Sequence, residues 1–333
     1  MRRRHAAAAR PPTPPLPSPA ELPQFLRRAR HARARLVPPG CTILRLVHDE
    51  ADGMPGLQVD RFGPLAVVQA YDSAWRPHLD AVARALVDDE IRAVRAVVRG
   101  RAGRADGDEL WVGEDLPEEL GADEPPLTFR VRPRDESLSV GLFPDARLAR
   151  RAVAALARGR RVLNLFAYTG GFTVAALWGG AVHVDQVDLG ARVAPWAARN
   201  VTVNGLSPRA CRFVVEDAVA FTARAARSTR RYGMVVLDPP TFARAGGGWH
   251  HTADLHALLV DALTACDADA HLMFSTNTVG QDPADLWSQV QAAAREAARA
   301  VVLEQVIRAG ADFPVSPGGD NLARFKMLQV RVS

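Results

Sequence analysis

In this 333-residue chain, five apolar runs each end in groups that can hydrogen-bond a ligand. VLNLF is followed by Ala167, Tyr168, Thr169, Gly170 and Gly171. VHVDQVD ends in Asp188, and RFVVED ends in Glu216 and Asp217. YGMVVL is followed by Asp238-Pro239-Pro240-Thr241-Phe242, and HLMF by Ser275, Thr276 and Asn277. A single terminal aspartate is often only the cap of the next helix, and Asp217 before AVAFTARAA reads equally well that way. The joint pattern says more, because a purely structural sheet needs no polar group at every strand end. Gly170-Gly171 sets a helix start over the end of a buried strand, where backbone N–H groups can meet an anionic or polar ligand. Asp188 follows at about the 20-residue spacing at which an acidic residue takes ribose hydroxyls in nucleotide-binding folds. These two features predict a pocket for an adenosine-containing cofactor. In VLDPPTFA, two prolines fix φ twice and remove two backbone donors, so the loop after Asp238 is stiff. A carboxylate beside an aromatic is one way to read and stack an extruded nucleobase. The plainer alternative is a structural turn with Phe242 in the core.

The elements that must position these groups alternate strand and helix from about Arg151 onward, which predicts a parallel, doubly wound sheet with helices on both faces. The segment Val162 to Asp188 is nearly uncharged and about as long as a membrane span. Gly170-Gly171 and Gly179-Gly180 divide it instead into strand, helix and strand. The last two runs, VVLEQVIRA and RFKMLQVRV, have only a Gly- and Pro-rich link between them and predict an antiparallel closing pair. The expected architecture is α/β: a Rossmann-like, doubly wound domain over 136–333, mostly parallel with an antiparallel last strand. A small α+β domain over 37–135 precedes it, with a hairpin at Phe62-Gly63-Pro64, a helix from about Pro77 to Val87 and a possible role in RNA contact. Residues 1–20 have the composition of a disordered tail. Glu21 to Leu36 reads as a basic helix, with Arg27, Arg28, Arg30, Arg33 and Arg35 either solvated or facing RNA.

A net charge of +5 and a pI near 9.7 allow a polyanionic partner without requiring one. Of the 42 lysines and arginines all but Lys326 are arginine, so compositional drift contributes to the excess. Cys41, Cys211 and Cys266 are too few and too scattered for a disulfide framework or a zinc cluster. A reducing, cytoplasmic setting without membrane or metal is expected. The Arg-rich start has no apolar stretch behind it and does not read as a secretory signal. Gly246 to His251, with Asp254 and His256, is poorly spaced for a metal and reads better as a flap with Trp249 available for stacking.

NLFAYTGGF at 164–172, VDLG at 187–190, ARN at 198–200 with NGL at 204–206, and DPPTF at 238–242 resemble the class I S-adenosylmethionine-dependent methyltransferases of large-subunit (23S) rRNA. GLFPDARLARR at 141–151, HDEADGMPGLQVDRFG at 48–63 and DFPV at 312–315 agree, so the resemblance runs from about Leu36 to the end. It implies S-adenosylmethionine as cofactor and a base of 23S rRNA, or of a large-subunit precursor, as substrate. Phe166, Tyr168, Thr169, Gly170 and Gly171 would line the cofactor, the last four on its methionine side. Asp188 would take its ribose and Asp217 its adenine, with Asp145 and Arg147 close by. Asp238, Phe242 and Asn277 would act on the target base, held by Pro239, Pro240, Thr241, Ser275 and Thr276.

The chain departs from that family in two respects. Cytosine-C5 members commonly begin with an RNA-binding PUA domain, and a basic, proline-rich segment stands here instead. Carbon 5 of cytosine is a poor nucleophile whose methylation needs attack by a thiolate first. The family's cytosine enzymes place that cysteine after the fifth strand, where this chain has Thr276. FSTN and DPPTF look more like the guanine-N7 branch. Guanine N7 carries a nucleophilic lone pair in the neutral base and needs no covalent intermediate. The alternatives are 5-methylcytosine, an exocyclic amine, another RNA or a small molecule as substrate, or a catalytically silent RNA-binding relative.

Overall fold

The computed structural model describes residues 16–99, 109–136, 139–240, 251–278, 280–315 and 325–333. Two compact units divide the chain: Met1–Leu116 with Ala311–Ala323, and Pro117–Gly310 with Arg324–Ser333.

The smaller unit begins with helix α1 (Leu22–Ala34), followed by strands β1 (Ile43–His48), β2 (Leu57–Phe62) and β3 (Leu65–Ala70), helix α2 (Leu79–Leu86), and strands β4 (Ala93–Val98) and β5 (Leu110–Gly113). They form one sheet in the order β1-β2-β3-β4-β5, with α2 as the crossover between the parallel pair β3 and β4. Phe62 pairs with Leu65 across the expected Gly63-Pro64 turn, with Gly63 at φ 62. The basic helix is not a separate surface element. Leu22, Leu26 and Ala29 of α1 enter the core with Trp75 and Val82. Arg30 and Arg33 turn inward, to Glu90 at 2.7 Å and Asp52 at 2.6 Å, while Arg27, Arg28 and Arg35 stay exposed. Ser18 donates its N–H and hydroxyl to Glu21 at 2.9 and 2.6 Å, so order begins before residue 20, where a disordered tail was expected. Residues 1–15 lie outside the described residues.

The larger unit opens with the hairpin β6 (Leu120–Glu124) and β7 (Leu127–Val131). Then come α3 (Arg147–Leu156), β8 (Arg161–Leu165), α4 (Gly171–Trp178), β9 (His183–Asp188), α5 (Val193–Val203), β10 (Cys211–Val215), α6 (Ala218–Ala226) and β11 (Tyr232–Leu237). The chain closes with α7 (His251–Ala265), β12 (Cys266–Thr276), α8 (Pro283–Glu296), β13 (Val301–Arg308) and β14 (Lys326–Val332). The seven-stranded sheet runs β10-β9-β8-β11-β12-β14-β13. The first five strands in this order are parallel, and β14 is antiparallel to both of its neighbours. This is the expected doubly wound sheet with its antiparallel close. Leu163, Leu165, Val235, Leu237, Leu272 and Phe274 pack one face against α6, α7 and α8. Val162, Val184 and Val236 are fully buried at the alternate positions, as a parallel sheet covered on both sides requires.

The unit boundary falls at 116/117 rather than after residue 135. The β6–β7 hairpin belongs with the sheet because asparagines of α5 bond its backbone. Asn200 Oδ1 accepts from Arg130 N at 2.7 Å, and Asn204 Oδ1 accepts from Thr128 N at 2.8 Å.

Candidate active site

The chain leaves β8 outward toward β9 and β10, then returns to β11 on the other side of β8. Such a reversal opens a crevice at the carboxyl ends of the strands, and the β8–α4 turn lies in it. Phe166 and Tyr168 adopt φ of 55° and 47°, and Gly170 adopts 81°. Left-handed backbone at a side-chain-bearing residue costs on the order of 1–3 kcal/mol and persists only where the surroundings impose it. Asp188 Oδ2 accepts from Tyr168 N at 2.8 Å, and its Oδ1 accepts from Gly190 N at 2.8 Å. Gln186 Nε2 donates to Tyr168 O at 3.2 Å, and Asn200 Nδ2 to Thr169 O at 2.8 Å. The Thr169 hydroxyl donates to Gly141 O. A Cβ on Gly170 would stand 2.8 Å from Gln186 Oε1, so the position demands glycine twice over. Below the turn, Asn164 Nδ2 donates to Thr173 Oγ1 at 2.9 Å and fixes the start of α4. That helix has no side-chain cap, which leaves its first-turn N–H groups for a ligand. Asp188 is half-buried and each of its oxygens has a further lone pair, which suits it to ribose hydroxyls.

Residues 139–150 flank this turn. Ser139 Oγ lies 3.2 Å from the Tyr168 hydroxyl, and the Phe143 ring is 5.8 Å from that of Tyr168. Asp145 sits in the helical turn Pro144–Ala146, and Arg147 opens α3 with 2% exposure, its Nε 3.7 Å from Glu124 Oε2. Arg150 also grips Glu124, with Nε 2.8 Å from Oε1, and donates Nη1 to Phe143 O at 2.9 Å. Sequence reasoning named Asp145 and Arg147 but missed Glu124, Arg150 and Phe143. Arg150 was already inside the GLFPDARLARR string, and its buried acidic partner on β6 was the missing half. Nothing in the spacing of Glu124 announces that contact.

On the other side of the crevice, Asp238 follows β11. Ser275 Oγ donates to its Oδ1 and stands 3.3 Å from Leu237 O. Burial pushes the Asp238 carboxyl above the usual carboxylate range, further than the Ser275 bond and the charge of Arg150 pull it down. Pro239 is buried and Pro240 exposed, while Thr241 and Phe242 lie outside the described residues. Thr276, 2% exposed, accepts from Thr278 N at 3.1 Å, so its hydroxyl forms a side-chain turn. Asn277 is half-buried, and among the described residues its Oδ1 has no hydrogen-bond partner. Asp217 caps α6, accepting from Ala220 N at 2.9 Å, and Glu216 pairs with Arg224 at 2.8 Å.

The thiols sit elsewhere. Cys266 opens β12 and Cys211 opens β10, at the amino ends of these strands, and burial pushes both up to about 12. Cys41 is buried in the smaller unit, with Sγ 3.2 Å from Ile43 O. The stretch 246–250 lies outside the described residues. His256 bonds Glu296 at 2.8 Å. Among the described residues no group of three His, Cys, Asp or Glu is set to hold a metal, and no helix is long and apolar enough to cross a membrane. A cavity of about 280 Å³ in the smaller unit, lined by Arg30, Val37, Cys41, Leu44, Arg61 and Glu90, contains none of the strand-end groups.

Residues 72–330 match the model of the S-adenosylmethionine-dependent methyltransferases. A "Ribosomal RNA large subunit methyltransferase" of Deinococcus radiodurans is 35% identical over 207 residues, covering 60% of this chain and 50% of that protein. The match therefore spans only half the length of that relative. A "Ribosomal RNA large subunit methyltransferase I" of Erwinia tasmaniensis is 30% identical over 287 residues, covering 81% and 70%. A solved S-adenosylmethionine-dependent methyltransferase from Streptococcus mutans superposes with a TM-score of 0.84 at 22% identity, covering 95% of this chain and 82% of that one. A methyltransferase solved with SAH bound gives 0.83 at the same identity and coverage. With the fold and the family model in agreement, the chain belongs to the S-adenosylmethionine-dependent methyltransferases.

Proposed function

We propose that this enzyme transfers a methyl group from S-adenosylmethionine to guanine N7 in large-subunit rRNA. The RNA substrate is supported by the names of the relatives and by the exposed Arg27, Arg28 and Arg35 on α1, which suit phosphate contacts. The observation that carries the choice of atom is Thr276. Its hydroxyl is committed to the turn at the end of β12, and the thiols open β10 and β12 at the far ends of those strands. Among the described residues of the larger unit no thiol stands at the carboxyl ends of the strands to attack cytosine, whereas N7 needs none.

When bound, S-adenosylmethionine supplies an electrophilic methyl group on a sulfonium. The chain's contribution is then placement. The β8–α4 turn holds the methionine side of the donor, Asp188 its ribose and Asp217 its adenine, with Asp145 and Arg147 nearby. Asp238 and the free Asn277 Oδ1 are acceptors suited to the N1–H and N2–H groups of guanine. Phe242 stacks the base in this reading, beside Pro239, Pro240, Thr241 and Ser275. Holding two reactants in line contributes about 7–11 kcal/mol toward the barrier in well-oriented systems, so orientation without a general base is sufficient machinery. An exocyclic amine is the second reading, favoured by the acceptor oxygen of Asp238 at an Asp-Pro-Pro turn.

Nucleoside mass spectrometry of rRNA from a deletion strain tests the proposal. Loss of 7-methylguanosine is the expected result. Loss of 5-methylcytidine would overturn the argument from Thr276, and loss of a methylated amine would favour the second reading. For the donor side, Asp188→Ala should weaken S-adenosylmethionine binding about 10–100-fold by calorimetry, the scale of hydrogen bonds to a charged group.

A further inference from the structure

The chain contains one lysine. Every other Lys or Arg position has arginine. That residue opens β14, paired with Thr276 of β12 on one side and Arg308 of β13 on the other, at the strand ends that border the crevice. It is only 7% exposed. Its Nζ donates to Thr278 O at 2.9 Å. Thr278 is therefore held at both of its backbone polar groups, its N–H by Thr276 Oγ1 and its carbonyl by Lys326. Asn277 lies within the first of these attachments, between Thr276 and Thr278, and among the described residues its Oδ1 is unpartnered.

An arginine would not serve here. The guanidinium is a wide planar fork and stays charged, whereas the lysine amine is a compact donor on a flexible stem. Burial, followed by the charge of Arg308, already pulls the amine below its ordinary value, with Asp282 opposing. A bulkier, permanently charged group in that space would displace the turn.

We infer that Lys326 is a positioning residue for the methyl transfer: its Nζ clamps the Thr278 carbonyl and so fixes Asn277 against the target base. The inference rests on the reading of Asn277 as a base-orienting group. It accounts for a lysine at 326 in a chain with no other lysine. The clamp acts at the end of β12, opposite the donor-binding turn after β8, so it governs the acceptor and leaves donor affinity alone.

The test uses the full chain with Lys326→Met, Lys326→Gln and Lys326→Arg, read by hydrogen exchange and by kinetics on rRNA from the deletion strain. In the substrate-free protein, amides of 276–282 should exchange at least tenfold faster in the Met and Gln variants. Their kcat should fall tenfold or more while SAH affinity stays within twofold. The Arg variant should resemble them, and methylammonium should restore kcat to Lys326→Ala in a concentration-dependent way. Exchange at 276–282 unchanged in both the Met and Gln variants, or full activity in Lys326→Arg, overturns the clamp. If the wild-type chain methylates no rRNA, the proposed substrate fails, and the exchange measurement still decides whether Lys326 holds the turn.

Discussion

Two aspartates in one sheet, Asp185 in β9 and Asp238 after β11, have opposite surroundings. Asp185 is fully buried. It accepts from Tyr232 at 2.7 Å and from Arg212 at 2.8 Å, lies 3.1 Å from His183, and has Arg230 at 3.6 Å. Burial pushes its carboxyl upward, but these partners outweigh it and hold Asp185 below the usual carboxylate range. Asp238 has Ser275 as its hydrogen-bond partner, and there burial wins. In the sequence Asp238 ends an apolar run, whereas Asp185 lies inside one. What separates them is how completely the protein neutralises each, and a carboxylate left under-neutralised at a strand end is one prepared for something outside the protein.

Several substitutions would sharpen or break this contrast. The largest effect belongs to Asp238→Asn, which should reduce kcat by about 10²–10³-fold, the cost of losing one preorganised polar group, with SAH affinity within a few-fold by calorimetry. A large loss of cofactor binding would instead put Asp238 on the donor side. Asp185→Ala should cost about 1–3 kcal/mol in a denaturant titration, because it strips the buried Tyr232 hydroxyl of its acceptor, whereas Arg212 and Arg230 are about half exposed and can turn to solvent. The folded fraction should keep wild-type kcat. The pH dependences should have opposite signs. With its folded pKa raised, Asp238 favours the fold most below the unfolded value of about 3.9 and loses that contribution as pH rises. Asp238→Asn should therefore be more stable than wild type at pH 7.5, the gap closing toward pH 4. Asp185 contributes above about pH 3.9 and loses its contribution as pH falls through its lowered folded value, so the deficit of Asp185→Asn should shrink only in stronger acid. Thermal unfolding across pH reads both. The smallest effect is expected from changing Cys41, Cys211 and Cys266 together to alanine. Turnover should stay within about twofold per folded molecule, since none lies at the strand ends; loss of activity would restore the covalent route.

The parallel sheet was legible because β8 to β12 are apolar runs punctuated by Gly170-Gly171, Gly179-Gly180 and Asp-Pro-Pro. The strand-end groups were legible for the same reason: a polar residue at the end of an apolar run has nowhere else to point. What stayed hidden depends on distant segments meeting. The ARN and NGL strings were recognisable as a family resemblance, but their work, knitting α5 to β7 and to the Thr169 carbonyl, appears only once Asn200 and Asn204 are in place. The inward turn of Arg30 and Arg33 was equally invisible, because the arginines of α1 lie over more than one face and its buried apolar stripe is only Leu22, Leu26 and Ala29. Asp217 could be read as a cap or as an adenine ligand, and its bond to Ala220 establishes the cap without consuming both of its oxygens.

The solitary lysine also has a practical consequence. A reagent that modifies side-chain amines has a single address in this chain, at the start of β14 beside the crevice. Acylation of Lys326 should be slow in the resting protein, in keeping with its 7% exposure. Its rate becomes a reporter of how often the β12 turn opens, obtained from one labelled peptide in a mass spectrum and without any mutation.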